Sequence, residues 1–341
     1  MIKKIFAFIV LTTFLGAGFI YYKVNETYDG PQKIVHIKSG SSFPQINQKL
    51  YSEGVIKDRR IFHYLAKFKN KMTKLRSGAF QIPSGSTYEE ILNLLSSANS
   101  LSTKVTIPEG KNLFEIAAIL FHLKVIANKE EFIKELKNLA IVQEYKLDGQ
   151  TLEGYLFPDT YFFPLGVSEK DIIKMFISNF KEKTAHFNFQ NSNLSFYELL
   201  TLASVVEKET GASFERAKIA GVFFNRLKKK MKLQSDPTII YGIFEKYDGN
   251  IRRKDIHTHH AYNTYTIKAL PIGPIANPGT KAIEAVLSPE KHDYLYFVSK
   301  NNGTHVFTKN YKDHLKAVQK WQLTKKNKQG RSWRDLKEKS K

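Results

Sequence analysis

The sequence contains no cysteine. That excludes disulfides, thiolate nucleophiles and cysteine-ligated metals, and it leaves packing as the source of stability. No GxSxG stretch occurs, so the nucleophile elbow of a serine hydrolase is absent. Glycine-rich phosphate loops are missing too, as is any HExxH spacing that would set two histidines on one helix face. Acidic residues are scarce: 32 Asp and Glu stand against 53 Lys and Arg, a formal net charge of +21.

What is present begins at the N-terminus. Met1-Ile2-Lys3-Lys4 is followed by an uncharged run from Ile5 to Tyr22. A helix of that length rises roughly 27 Å, close to the roughly 30 Å hydrocarbon core of a bilayer. The two preceding lysines put the N-terminus in the cytoplasm, and Tyr21 and Tyr22 suit the outer interface. Gly16-Ala17-Gly18 is small enough for a signal peptidase, but the apolar run continues through Phe19 and Ile20, which favours an uncleaved anchor. The expectation is a single-pass protein of the cytoplasmic (inner) membrane whose remaining chain faces the periplasmic or extracellular side. About a third of the basic excess lies between Lys320 and Lys341, where nine Lys or Arg face two acids. Such a run reads as a solvated tail. Outside the membrane the available anions are lipid headgroups and wall polymers, and nucleic acid is not an expected partner.

A small pattern occurs three times. Ile37, Gly40, Phe43, Ile46 and Leu50 recur in step as Ile82, Gly85, Tyr88, Ile91 and Leu95, and again as Ile107, Gly110, Leu113, Ile116 and Leu120. The spacing predicts a short strand, a glycine turn and a helix whose apolar positions share one face. Ser42, Thr87 and Asn112 stand where they would cap those helices. The unit resembles the LysM peptidoglycan-binding module, which points to glycan.

The most strongly specified helix runs from Ser195 to Thr210. Ser195 and Glu198 form a capping box, and Phe196, Leu199, Leu200, Ala203 and Val206 share a face. Gly211 stops it. A second helix is expected from Phe214 to Lys230 with Ser213 as its cap. The hairpin end carries Glu207-Lys208-Glu209-Thr210-Gly211. At about 100° per residue, Glu207 falls inside the apolar face and Glu209 at its edge. A carboxyl at the rim of a core loses solvation, so its pKa rises and it can hold a proton near neutral pH. From spacing alone, two surface glutamates beside a lysine would be the favoured reading.

Leu202-Ala203-Ser204-Val205-Val206-Glu207-Lys208-Glu209-Thr210 resembles the signature of the YceG-like family, the endolytic murein transglycosylases. The match continues through Phe223-Phe224-Asn225-Arg226-Leu227, Leu233-Gln234-Ser235-Asp236-Pro237-Thr238, Tyr262-Asn263-Thr264-Tyr265 and Asn277-Pro278-Gly279, with Glu153 to Tyr161 upstream. It implies Glu209 as the single acid and base, with Glu207 as second candidate. Gln234, Ser235, Asp236, Tyr262 and Asn263 are then the groups that would hold sugar. It also implies cleavage between N-acetylmuramic acid and N-acetylglucosamine with a 1,6-anhydro end, no cofactor and no metal, and peptidoglycan synthases as possible partners. Two features depart from the pattern: Ile272 stands where proline is common, and His257-Thr258-His259-His260 is unusually rich in histidine. The three histidines are the rival metal site. Hydrolysis by water and a non-catalytic wall-binding scaffold are the competing readings.

The expected fold is α+β: the cytoplasmic end and transmembrane helix in residues 1 to 22, a linker over 23 to 32, a LysM-like α/β region over 33 to 103, a lytic transglycosylase domain over 104 to 325, and a basic tail from 326 to 341. Asn301-Asn302-Gly303 marks a hairpin between Tyr294 to Ser299 and Thr304 to Lys309, followed by a helix from about Asn310 to Trp321.

Overall fold

The computed structural model describes residues 18, 21–38, 40–97, 101–189 and 192–324. Most of the expected membrane helix and the tail from 326 to 341 lie outside these residues. Among the described residues no helix is long and apolar enough to cross a membrane.

The fold is α+β, with helices dominant and, among the described residues, six strands paired two by two. In chain order the elements are β1 (Lys33–Ile37), α1 (Phe43–Ser52), α2 (Arg59–Phe68), β2 (Gly78–Ile82), α3 (Tyr88–Ser96), β3 (Ser102–Thr106) and α4 (Leu113–His122). Then follow α5 (Lys129–Leu136), α6 (Leu139–Glu144), β4 (Thr160–Pro164), α7 (Glu169–Thr184), α8 (Phe196–Glu209) and α9 (Arg216–Lys228). The chain closes with α10 (Asp236–Gly242), α11 (Arg253–His257), α12 (Thr280–Leu287), β5 (Tyr296–Ser299), β6 (His305–Thr308) and α13 (Tyr311–Val318). Two compact units result. One ends at Val105 and regains Tyr161–Ile172; the other comprises Thr106–Thr160 and the chain from Ile173 onward.

All three repeats fold alike. Gly40, Gly85 and Gly110 have φ of 76°, 80° and 75°, the left-handed region where only glycine escapes the cost of a Cβ. The helix after each turn is capped in the same way. The Gln45 side-chain oxygen accepts Ser42 N–H at 2.8 Å, Glu90 accepts Thr87 N–H at 2.8 Å, and Glu115 accepts Asn112 N–H at 3.0 Å. The apolar positions of every copy are buried. In the first unit β1 and β2 pair antiparallel, Val35 opposite Phe80, and their inner side chains join α1, α2 and α3 in one core.

The second unit is built on α8. Leu199, Leu202, Ala203 and Val206 pack against Ile219 and Phe223 of α9 and against Ala282, Ile283 and Val286 of α12. Each fully buried aliphatic side chain contributes about 1.5–3 kcal/mol, so this three-helix contact fixes α8 rigidly. The Ser195–Glu198 box caps it at 2.8 Å as its sequence requires. The next helix begins differently from expectation. A 3₁₀ turn spans Ser213–Glu215 and α9 starts at Arg216, so Ser213 does not cap it. Glu215 at that junction is turned instead to β6, where its carboxylate accepts His305 N–H at 3.0 Å and meets His305 Nδ1 at 2.7 Å. The β5–β6 hairpin forms around Asn301 and Gly303, both at positive φ.

Candidate functional site

The two glutamates at the end of α8 point to different surroundings. Glu207 is buried, with one carboxylate oxygen 2.7 Å from Arg216 Nη2 and the other accepting Gly279 N–H at 3.1 Å. Burial raises its pKa and the Arg216 guanidinium opposes the rise. Both oxygens are engaged, and Arg216 reaches on toward Glu109 at 3.6 Å. Glu207 therefore ties α8 to α9 and to the turn before α12.

Glu209 has no cation bonded to it. Its Oε1 accepts a short hydrogen bond from the Ser235 hydroxyl. Desolvation pushes its carboxyl up to about 7; the Ser235 bond lowers it, the neighbouring Asp236 charge raises it, and the Arg226 charge lowers it. A carboxyl in that range holds and releases a proton at neutral pH.

The segment facing Glu209 is held by buried groups. Arg226, on α9, donates from Nε to Leu295 O and from Nη1 to Leu233 O, each at 2.6 Å, and its guanidinium lies 5.3 Å over the Tyr296 ring. It thus fastens the loop before Ser235 to the start of β5. Ser235 N–H donates to Thr264 Oγ1 at 3.0 Å, and Thr238 Oγ1 donates to Ser235 O at 2.6 Å. Thr238 and Thr264 share a 2.8 Å hydroxyl contact, and both are fully buried. The orientation of Ser235 is fixed from three sides.

The other expected sugar-binding residues divide. Gln234 is exposed at φ 50° beside Ser235. Asp236 is exposed and accepts the Tyr265 hydroxyl at 2.6 Å. Tyr262 is half-buried and meets Tyr241 edge-on at 4.7 Å; burial pushes its hydroxyl up to about 12. Asn263 is committed elsewhere. Its amide donates to the carbonyls of Asp255, Ile256 and Thr258 at 3.0, 3.1 and 2.8 Å, and its oxygen accepts Tyr265 N–H at 2.9 Å. A side chain so occupied braces the loop. Ser235, likewise, spends its hydroxyl on Glu209.

Sequence reasoning gave no individual role to Arg226, Thr238, Thr264 or Glu153. Glu153 is fully buried, accepting Leu113 N–H at 2.9 Å, the Asn277 amide at 2.7 Å and the Tyr241 hydroxyl, and burial pushes it up to about 8. Its membership in the Glu153 to Tyr161 block was the only sign of it. His257, His259 and His260 are all exposed, and His260 stacks near Tyr262 at 5.8 Å. Among the described residues no group of three His, Asp or Glu is arranged to hold a metal ion.

The model of the YceG-like family matches residues 35–320. The chain belongs to this family. An endolytic murein transglycosylase of Bacillus subtilis (strain 168) is 36% identical over 336 residues, 92% of each chain. An endolytic murein transglycosylase of Streptococcus pneumoniae (serotype 2, strain D39) is 30% identical over 355 residues, 92% of this chain and 64% of its own. Among solved structures, a putative yceG-like protein of Listeria monocytogenes aligns with TM-score 0.58 and 31% identity, over 84% of this chain and 98% of that one. The Glu207 to Thr210 end of α8 and the Ser235 loop both lie within the span the family model matches.

Proposed function

We propose that this protein is an endolytic murein transglycosylase, a lyase acting on peptidoglycan, and that Glu209 is its acid and base. The observation that carries the assignment is the contact between Ser235 and Glu209, at a site whose desolvation pushes this carboxyl up to about 7. Ser235 occupies Oε1, so the acid proton resides on Oε2. From there it passes to the glycosidic oxygen between N-acetylmuramic acid and N-acetylglucosamine, and the bond to C1 breaks. The ionised carboxylate, stabilised by the Ser235 hydroxyl and the Arg226 charge, then takes the proton of the same sugar's C6 hydroxyl. That oxygen closes onto C1, giving the 1,6-anhydro end without water. The attached nucleophile has the high effective concentration of an intramolecular reaction. Gln234 and Asp236, exposed on either side of Ser235, would meet the sugar, and Tyr262 would add a ring face.

Residues 5 to 22 would anchor the chain in the cytoplasmic membrane, with Lys3 and Lys4 inside and both folded units outside. The LysM-like repeats would hold glycan. An open depression at the first glycine turn, lined by Ile37, Lys38, Gly40, Ser41 and Arg76, would be the place for it. Cutting beside the membrane would act on strands still being polymerised, which brings peptidoglycan synthases within reach as partners.

The deciding test is digestion of purified peptidoglycan by the protein and by Glu209→Gln, with products read by mass spectrometry. Anhydro-muramic ends from the parent and none from the variant support the assignment. Reducing ends would make the protein a hydrolase, and no product from the parent would leave a wall-binding scaffold.

A further inference from the structure

We propose that α2 is a second membrane contact: a basic, aromatic helix face that lies on an anionic lipid surface beside the N-terminal anchor. The proposal rests on the reading of residues 5 to 22 as that anchor. Between Arg59 and Tyr88 the sequence holds seven Lys or Arg and no Asp or Glu. Phe62, Leu65 and Ala66 turn one face of α2 into the core of the first unit. The opposite stripe is Arg60, Tyr64, Lys67 and Phe68, all exposed, at positions i, i+4, i+7 and i+8 of one helix. Tyr64 is 66% exposed and Phe68 86%. Two outward aromatics one turn apart, flanked by cations, are the composition of a helix seated at a lipid interface. A polyanionic wall polymer would satisfy the cations and leave the rings in water.

The path of the chain supplies the second, independent argument. The uncharged run ends at Tyr22. Val24 already packs on the core of the first unit and Tyr28 is buried in it, while Thr27 pairs with Thr87. Six residues reach at most about 20 Å, so a spanning helix holds this unit against the bilayer. Lys57, immediately before α2, pairs with Asp29 at 2.6 Å and approaches Glu26 at 3.8 Å. The helix thus starts beside the point where the chain leaves the membrane. The nearby acids Glu26, Asp29 and Asp58 sit at its N-terminal end, and Glu89 is paired with Lys69 at 2.6 Å. The stripe from Tyr64 to Phe68 stays net positive.

The test uses full-length protein carrying Phe68→Trp, reconstituted into vesicles of phosphatidylcholine alone or mixed equally with phosphatidylglycerol, with brominated acyl chains. Unsubstituted protein gives the background of Trp321 and Trp333. In anionic vesicles the added emission should shift to the blue and lose most of its intensity to the bromines. The further changes Arg60→Glu and Lys67→Glu should restore it. Unquenched emission from protein that stays with the vesicles through an alkaline carbonate wash would overturn the proposal and leave the anchor standing. Protein stripped by that wash would overturn the anchor, and this inference with it.

Discussion

Two carboxylates stand two residues apart on the same helix, and their surroundings have sorted them. Both lose solvation, and both are pushed upward by it. Glu207 has both oxygens occupied, by an arginine and a backbone amide that oppose the rise, so it serves as a fastening. Glu209 has only one hydroxyl and a guanidinium that does not bond it, so its proton remains negotiable. Glu153 is a third solution, buried among neutral donors alone and pushed up to about 8. Compensation, more than burial, separates a structural carboxylate from a chemical one.

The widest separation between the pair should come from Glu209→Gln, which removes the proposed acid and base while keeping its shape. Activity should fall roughly 10²–10⁴-fold or more, measured as anhydro-muramic product per folded enzyme. The reciprocal change, Glu207→Gln, should leave product chemistry in place and weaken the fold by up to about 3–5 kcal/mol, because buried Arg216 loses its 2.7 Å partner and keeps only Glu109 at 3.6 Å. Urea denaturation reads this, and a full loss of activity in still-folded protein would place chemistry at Glu207 instead.

The pH dependence of stability sharpens the contrast further. Glu209 is raised in the folded state from an ordinary value of 4.5 to about 7. Below 4.5 it is protonated both folded and unfolded and has no effect. Above that, the unfolded chain ionises first, so the carboxyl destabilises the fold increasingly, by about 3 kcal/mol once pH passes 7. Glu209→Gln should therefore gain stability on the parent between pH 4.5 and 7, as read by melting temperature across that window. A flat difference would show that the site is better solvated than its geometry implies.

Smaller effects follow from the hydroxyls. Ser235→Ala removes a bond that lowers the carboxyl, so the Glu209 pKa should rise. The alkaline limb of kcat/KM should move to higher pH, and kcat should fall about tenfold with the weaker stabilisation of the ionised form. Tyr241→Phe takes one donor from Glu153. It should cost about 1 kcal/mol in denaturant and leave the alkaline limb where it was.

What the sequence showed was local. The α+β class, the three glycine turns with their caps, the span of α8, the hairpin at Asn301 to Gly303 and the apolar-face position of Glu207 all follow from periods, caps and turns acting within about ten residues. The site does not. Ser235 meets Glu209 across 26 positions, and Asn277 meets Glu153 across 124. No period connects such residues. The same distance hides what other side chains are already bonded to. Ser213 has the right type for a cap, but the chain there turns as a 3₁₀ helix to set Glu215 against His305. Asn263 has the right type for a sugar, but three carbonyls of its own loop take its amide first.

The arginine clamp has a consequence in time. Arg226 bonds the Leu295 carbonyl as well as that of Leu233, and Leu295 is made well after Glu209 and Ser235. Until the ribosome passes that point, the loop before Ser235 lacks this half of its clamp, and Thr238 and Thr264 alone hold Ser235. A chain that stops short of Leu295 should therefore hold Ser235 against Glu209 less firmly.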